Sequence, residues 1–372
     1  MNSIFTGVKV VDLTKVFSGP FATRMLADYG AEVIKIESIE NYDDSRNYPP
    51  LKNNRSGYFE ILNRNKKGVS LNLKNEKDLK AFYNLIKDAD VFVENLTPST
   101  KHKLKIDYEI LKKINPKIIY ASLSGLGQEN DKKYYDVIAQ AQSGLMSLSG
   151  YSNTPMKIGP SVVDAFSGLT LSFAISSALF YRERAGLGQY LDVSMLSSAM
   201  NLLESSLIEY SLTKTNPMPA GNQDNAISPF GAYKAKDGYI VVAAGSERIW
   251  ADLSDFLKSH FNYDEDLYSS NGLRLKNNSS LNIIVEKVFS KYSVKDLEEK
   301  LSKLNIPCSR VYKMSDVYSD TNNFRNKSLI RFKHSKLGEC VIPGSSINFS
   351  SQEKLLIREA PEIGEDNDKY GL

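Results

Sequence analysis

The start of the chain contains two short apolar runs, residues 8–13 and 31–36, separated by one predicted helix. This helix is predicted to begin at Ser18-Gly19-Pro20, where a small capping residue precedes a proline, and to end at Gly30. A strand, a helix and a second strand in this order form a βαβ unit with a right-handed crossover and parallel strands. The first part of the chain therefore predicts a parallel α/β sheet.

The same alternation continues downstream and predicts an open, Rossmann-like sheet. Predicted strands lie at residues 90–94, 118–123 and 189–193, and predicted helices at residues 76–87, 108–113, 137–148, 165–181 and 195–211. We expect the helices at 137–148 and 165–181 to be buried, because they contain no charged residue.

A chain of 372 residues is long enough for two domains. The apolar period stops at residues 213–228, where polar residues, Pro and Gly predominate, and we place a linker there. A smaller α+β domain is predicted at residues 229–314, from a hairpin around Lys236-Asp237-Gly238 and helices at 249–259, 281–290 and 294–304. A second linker, 315–328, leads into two short strands at 329–333 and 339–342. Residues 329–372 are expected to complete the large domain, residues 1–212.

Composition argues against several classes of protein. The 47 basic and 44 acidic residues leave a net charge of +3, so no nucleic-acid partner is expected. Two cysteines, Cys308 and Cys340, provide no disulfide framework, and the first residues lack a signal-peptide pattern, so we expect a cytoplasmic location. The longest uncharged run lies between Asp164 and Arg182 and is shorter than the about 20 residues that a membrane span needs. We therefore expect a core helix there and no membrane.

Common nucleotide and metal motifs are missing from the sequence. Residues 14–20, after the first strand, contain one glycine where a dinucleotide-binding turn needs three, although Glu37 stands where a ribose-binding acid would. No Gly-Lys-Ser/Thr sequence occurs, so a P-loop is excluded. The three histidines and two cysteines show no metal-ligand spacing, and we predict no metal site.

Asp164 is the carboxylate in the most suggestive position, because it follows the short apolar segment 161–163 and opens the uncharged helix. An aspartate there is usually an N-cap. The same position suits a nucleophile, since the helix dipole favours the ionised form and apolar surroundings remove water from the attacking oxygen.

Several segments occur in an order and at a spacing that together are specific. They lie at residues 7–14, 19–21, 26–37, 62–67, 90–95, 122–127, 135–136, 159–168, 237–239, 305–307 and 360–361. On these segments the chain resembles the family III CoA-transferases, which include formyl-CoA transferase, carnitine CoA-transferase and 2-methylacyl-CoA racemase. The resemblance covers nearly the whole chain.

The resemblance implies that Asp164 is the catalytic nucleophile. It would attack an acyl-CoA thioester and pass through a mixed anhydride, an aspartyl-CoA thioester and a second anhydride with the acceptor acid. Coenzyme A is then part of the substrate, and no tightly bound cofactor is expected. Family members form homodimers of interlocked rings, which implies a homodimer here with the small domain helping to close the site.

The resemblance also implies which residues contact CoA and the acyl group. The turn Lys15-Val16-Phe17-Ser18 is similar to the segment that lines the CoA arm. Other CoA positions are Leu71, Lys74, Asn95, Leu96, Lys103 and Lys133. Phe17 replaces a glutamine of formyl-CoA transferase, which favours a more apolar acyl group, and the segment 221–231 lacks the glycine run that covers an oxalate-using site.

Two alternatives stay open at this point. One is racemisation next to the thioester, which needs a base on each face of the carbon. The racemase branch carries a histidine at the position of Tyr135 and an acidic residue near Glu247, so both residues are candidates for the substrate pocket. A tyrosine, with an ordinary pKa near 10, is a poor base at neutral pH. The other alternative is a CoA-binding protein that keeps the fold without the activity.

Overall fold

The computed structural model describes residues 3–151, 154–351 and 357–372. The chain divides into two units. The first comprises Met1–Met146, Lys157–Lys214 and Thr321–Leu372, and the second comprises Ser147–Met156 and Thr215–Asp320. The second unit therefore takes a short piece from the middle of the segment predicted as the large domain.

The described residues contain strands and helices in regular alternation. The strands are β1 (Lys9–Asp12), β2 (Glu32–Glu37), β3 (Leu51–Lys52), β4 (Arg55–Ser56), β5 (Lys67–Ser70), β6 (Val91–Glu94), β7 (Ile119–Ser124), β8 (Gln189–Ser194), β9 (Phe230–Lys234), β10 (Tyr239–Ala243), β11 (Cys308–Arg310), β12 (Leu329–His334) and β13 (Gly338–Pro343). The helices are α1 (Ser18–Asp28), α2 (Gly57–Asn63), α3 (Glu76–Lys87), α4 (Pro98–Leu104), α5 (Tyr108–Ile114), α6 (Asp136–Gln142), α7 (Leu145–Leu148), α8 (Val162–Ala185), α9 (Met195–Met200), α10 (Ser206–Thr213), α11 (Glu247–Lys258), α12 (Asn271–Lys276), α13 (Asn278–Phe289), α14 (Val294–Lys303), α15 (Met314–Ser319) and α16 (Thr321–Arg325). Single 3-10 turns lie at Asp44–Asn47, Glu265–Tyr268 and Asn367–Tyr370.

Six strands of the first unit form one sheet in the order β5-β2-β1-β6-β7-β8. Every neighbouring pair is parallel, with Val11 opposite Ile34 on one side and opposite Phe92 on the other. The strand order reverses between β1 and β6, which is where open α/β sheets bind ligands. The predicted α/β class with an open parallel sheet is confirmed.

Apolar residues of β1, β2, β6 and β7 are buried, as expected for a parallel sheet covered on both faces. Val11, Ile34, Phe92 and Tyr120 form one core cluster with residues of α3 and α5. The centre of the sheet also holds buried charges. The Asp12 carboxylate lies 2.8 Å from the Lys66 ammonium, with both side chains fully buried.

Helix α8 differs from the prediction of a fully buried helix. Its residues Leu169, Phe173, Phe180 and Tyr181 are exposed, with Phe173 at 73% of its full exposure. By length and composition alone α8 could cross a membrane, but core helices of soluble proteins have the same length and composition. In the most apolar 18-residue stretch of α8, 44% is buried. One face of α8 packs into the first unit and the other faces outward.

Two of the predicted helices are interrupted. The segment predicted as one helix at 195–211 forms α9 and α10, because Glu204 between them adopts a positive φ of 50°. The segment 137–148 likewise forms α6 and α7, with Gly144 at φ 90° between them.

The second unit contains an antiparallel sheet in the order β11-β10-β9 with α11, α13 and α14 packed against it. Its core includes Tyr233, Trp250, Leu253, Val285 and Phe289. The β9–β10 hairpin pairs Tyr239 with Lys234, as the turn sequence predicts. This unit has the predicted α+β composition.

Candidate active site

A cavity of about 380 Å³ lies in the first unit at the carboxyl ends of β1, β6 and β7. This edge includes the reversal point of the sheet, so the segments after β1 and β6 diverge and leave an opening between them. We call it the Asp164 cavity. The residues that line it are Lys15, Val16, Phe17, Ser18, Asp44, Asn95, Leu96, Thr97, Pro98, Thr100, Leu123, Ser124, Gly125, Asn130, Lys132, Lys133, Tyr134, Tyr135, Asp164 and Met195.

Hydrogen bonds join the segments that follow β1 and β6. The Lys15 amide donates to Asn95 Oδ1 at 3.0 Å, and Asn95 Nδ2 donates to the Lys15 carbonyl at 2.8 Å. The next residue, Val16, has φ 69°, a strained value for a β-branched residue, and its amide donates to Asp43 Oδ1 at 3.1 Å. These hydrogen bonds hold the backbone of the cavity wall at Lys15 and Val16 in place.

Ser18 does not cap α1, contrary to the prediction. The helix begins at Ser18 itself, Phe17 occupies the N-cap position, and no side chain caps the helix. The Ser18 hydroxyl instead donates to Asp164 Oδ1. The serine thus orients the carboxylate on a different helix.

Asp164 is not an N-cap, so the reading of this residue as a cap is wrong. Ser161 is the N-cap residue of α8, and Asp164 lies in the first turn. The amides of Val163 and Asp164 both donate to Asp136 Oδ1, at 2.9 and 3.2 Å. Because Asp136 satisfies these helix donors from outside, the Asp164 carboxylate can point into the cavity.

Burial raises the pKa of Asp164 from its ordinary value of 3.8 to about 6. The hydrogen bond from Ser18 opposes this shift, and the negative charge of Asp136 adds to it. Asp164 is therefore ionised at neutral pH while partly deprived of water, and such a carboxylate is a stronger nucleophile than a fully hydrated one.

The structure brings together most of the site residues proposed from the sequence. Those that line the cavity are Lys15, Val16, Phe17, Ser18, Asn95, Leu96, Lys133, Tyr135 and Asp164. Leu71 lies in the hydrophobic core. Lys74 and Lys103 are exposed and are not among the lining residues. Glu247 lies in the second unit, where Arg274 donates to both of its oxygens at 2.7 and 2.9 Å.

Sequence reasoning missed two contributors to the site. Asp136 belongs to the segment 135–136 that carries the family resemblance, but its contacts with the amino terminus of α8 depend on folding. Tyr58 lies on α2, and burial first, then the nearby carboxylate of Asp164, raise the pKa of its hydroxyl. The sequence around Tyr58 carries no local signal that would mark it as a site residue.

The fold and the cavity define an α/β protein with a partly buried carboxylate at the ligand-binding edge of a parallel sheet. The sequence matches the model of CoA-transferase family III over residues 5–367, and the chain belongs to this family. Within the described residues no group of three His, Cys, Asp or Glu side chains could hold a metal ion.

Similarity to individual proteins agrees with this family assignment. The chain is 34% identical over 354 residues to the acetyl-CoA:oxalate CoA-transferase of Acetobacter aceti, covering 94% of this chain and 90% of that protein. It is 33% identical over 364 residues to the succinyl-CoA:glutarate CoA-transferase of Mus musculus, covering 96% and 84%. The crystal structure of a CaiB/BaiF family protein from Brucella suis superposes with a TM-score of 0.87 at 29% identity, covering 99% and 98% of the two chains.

Proposed function

We propose that this enzyme transfers CoA from an acyl-CoA thioester to a free carboxylic acid, with Asp164 as the nucleophile. The observation that carries the proposal is the partly buried Asp164 carboxylate, which faces a cavity at the sheet edge and receives a hydrogen bond from Ser18. The names of the relatives describe transfer of CoA between an acyl-CoA and an acid.

The proposed reaction has four acyl-transfer steps. The Asp164 carboxylate attacks the thioester carbonyl, and the carbon–sulfur bond breaks to give a mixed anhydride and CoA thiolate. The thiolate attacks the aspartyl carbonyl and releases the donor acid, which leaves an aspartyl-CoA thioester. The acceptor carboxylate displaces CoA to form a second anhydride, and the thiolate then attacks its acyl carbonyl. The products are the new acyl-CoA and the regenerated Asp164.

The lining of the cavity supports CoA binding next to Asp164. Val16, Asn95 and Leu96 present a narrow, mostly apolar wall suited to the pantetheine arm. Lys132 and Lys133 are exposed lysines on the same cavity, where ammonium groups can pair with phosphates. We assign the nucleotide end of CoA to this side.

Chemical trapping tests the proposal. The protein is incubated with a panel of acyl-CoA thioesters, then treated with hydroxylamine or borohydride, and the peptide containing Asp164 is analysed by mass spectrometry. We expect a hydroxamate or a reduced side chain at Asp164. Asp164→Asn should abolish both signals and turnover, whereas Asp88→Asn, at an exposed position that ends α3, should retain them.

The same incubation in deuterated water separates the alternatives. Deuterium entry at the carbon next to the thioester, without adducts at Asp164, would indicate a racemase and refute the transferase. Binding of the thioester without either signal would indicate a protein that binds CoA but does not transfer it.

We further infer that the enzyme acts as a homodimer. The outward face of α8 carries Leu169, Phe173 and Phe180, and on α10 Leu207 and Leu212 are exposed at 61% and 77%. Apolar surface on two helices of the same unit is typical of a protein interface. Sedimentation of the purified protein should give a mass of two chains.

A further inference from the structure

Four aromatic side chains, Phe17, Phe21, Tyr48 and Tyr58, lie together near Asp164, and we call them the aromatic cluster. The ring of Phe17 stacks on that of Phe21 with centroids 5.7 Å apart, and its centroid lies 5.9 Å from that of Tyr58. The ring centroids of Tyr58 and Tyr48 lie 5.6 Å apart. Phe17 lines the cavity and directly precedes Ser18, the donor to Asp164. An acyl group on Asp164 would therefore meet the aromatic cluster at the ring of Phe17, the member of the cluster that lines the cavity.

Carboxylates lie near the Tyr58 end of the aromatic cluster. Burial raises the pKa of the Tyr58 hydroxyl, and the charges of Asp164, Asp43 and Asp136 raise it further. This hydroxyl therefore remains neutral at physiological pH. Asp43 is paired with the Lys35 ammonium at 3.0 Å, and Asp164 is neutral once acylated. An additional negative charge near the acyl group would therefore be repelled by Asp136 and by Asp44, which lines the cavity.

The cations near this end of the cavity are held in place by other groups, Lys15 by neutral oxygen atoms and Arg24 by the Phe21 ring and the Asp28 carboxylate. The Lys15 ammonium donates to the Asn41 carbonyl, to Asn41 Oδ1 and to the Tyr42 carbonyl at 2.8, 2.9 and 3.1 Å. The Arg24 guanidinium carbon lies 4.5 Å from the centroid of the Phe21 ring. Arg24 Nε lies 3.9 Å from Asp28 Oδ2. Two further lysines of the lining, Lys132 and Lys133, are exposed and are assigned above to the CoA phosphates.

We propose that the acids exchanged by this enzyme are monocarboxylic acids with an apolar, branched or aromatic side chain, a proposal that rests on the CoA transfer proposed above. Such a side chain gains contact with the aromatic cluster. The second carboxylate of a dicarboxylic acid would lose water near Asp44 and Asp136, and it could pair with Lys15 only if that ammonium gave up its bonds to Asn41 and Tyr42. The specificity thus differs from the oxalate and glutarate in the names of the relatives.

An identity exchange tests this substrate class, because each acid then serves as both donor and acceptor. Isotopically labelled phenylacetate is incubated with phenylacetyl-CoA, isobutyrate with isobutyryl-CoA, succinate with succinyl-CoA and glutarate with glutaryl-CoA, and label in the thioester is measured by mass spectrometry. We expect kcat/KM to be about tenfold or more higher for the two monocarboxylates.

Each outcome has a separate meaning. Equal or faster exchange of either dicarboxylate would overturn the substrate class and leave CoA transfer intact. If none of the acids exchanges while the folded protein binds the thioesters, the proposed function fails as well.

Substitution of Phe17 tests the structural cause. Phe17→Arg places a cation beside the acyl group and should shift the ratio of dicarboxylate to monocarboxylate exchange by roughly tenfold toward the dicarboxylate. Phe17→Leu, which remains apolar, should keep the wild-type preference. An unchanged ratio in a folded Phe17→Arg protein would exclude the aromatic cluster as the origin of specificity.

Discussion

At the scale of single residues, the chemistry of the site depends on how Asp164 is held. Ser18 donates to the carboxylate, and Asp136 accepts the amides behind it. The burial of the carboxylate raises its pKa to about 6, which is still below neutral pH, so Asp164 remains ionised there while partly deprived of water.

This pKa predicts how activity depends on pH. The nucleophile must be ionised, so protonation of Asp164 removes activity as the pH falls through about 6. We expect kcat/KM to be constant above pH 7 and to fall about tenfold per pH unit well below pH 6. Steady-state rates between pH 4.5 and 8.5 would show this acidic limb of the pH profile, the range in which the rate falls with pH. A rate that is unchanged down to pH 4.5 would contradict the assignment.

Removal of the Ser18 hydroxyl should move the same limb. Ser18→Ala deletes the hydrogen bond that lowers the pKa of Asp164, so the limb moves to higher pH, and the rate at pH 6 falls by roughly threefold to tenfold. Ser167→Ala is a matched control, because the Ser167 hydroxyl on α8 is buried and has no hydrogen-bond partner in the described part of the chain. Its pH profile should match the wild type.

The raised pKa also predicts a stability effect at Asp164. Above pH 6 the folded protein holds a carboxylate that prefers water, whereas the unfolded chain ionises near 3.8 without this cost. Asp164→Asn should therefore increase the free energy of unfolding by about 2 kcal/mol at pH 8 and by much less at pH 4. Urea denaturation at both pH values measures this difference. A variant less stable than the wild type at pH 8 would contradict the prediction.

At the scale of elements, the site exists because α1 and α8 approach closely. A Cβ atom on Gly168 of α8 would lie 2.5 Å from the Ser18 carbonyl oxygen and 2.9 Å from Phe21 Cδ1. A backbone oxygen cannot rotate away, so the glycine sets the spacing of the two helices and the hydrogen bond between Ser18 and Asp164.

Gly168→Ala should push α1 away from α8. We expect a loss of about 1–3 kcal/mol in unfolding free energy and roughly a tenfold lower kcat. Gly272→Ala on α12 is the control, since a Cβ there meets no atom within 4 Å of the described structure. It should leave activity unchanged and not reduce stability. Thermal denaturation and steady-state kinetics of both variants would decide.

At the scale of the whole molecule, the exposed faces of α8 and α10 suggest how two chains associate. The apolar positions of α8 recur along one side of the helix, at Leu169, Phe173 and Phe180. A lone chain would leave this surface in water, whereas a second copy would bury it.

Phe173→Glu should weaken the proposed dimer. Phe173 is 73% exposed on α8, and a carboxylate at this position would have to be buried at the interface. We expect dissociation at micromolar concentration, measured by sedimentation equilibrium. Ile283→Glu changes a residue of the second unit that is similarly exposed, at 68%, and should leave the dimer intact. An unaltered mass for Phe173→Glu would argue against this interface.

Local sequence patterns are enough to predict the class of fold and to propose Asp164 as a site residue. The opening βαβ unit and the alternation after it predict a parallel sheet, because apolar periodicity and turn residues act over a few neighbouring positions. Asp164 can be proposed for the same reason, because it opens an uncharged helix that is visible in the local sequence.

The surroundings of Asp164 depend on tertiary folding and cannot be predicted from local sequence. The local sequence predicts Ser18 as a helix cap, yet its hydroxyl donates to a carboxylate 146 positions away. Asp136, 28 positions before Asp164, accepts from the amino terminus of α8. Desolvation, hydrogen bonds and ring contacts act through space, so the pKa of Asp164 and the aromatic cluster beside it depend on how distant segments pack.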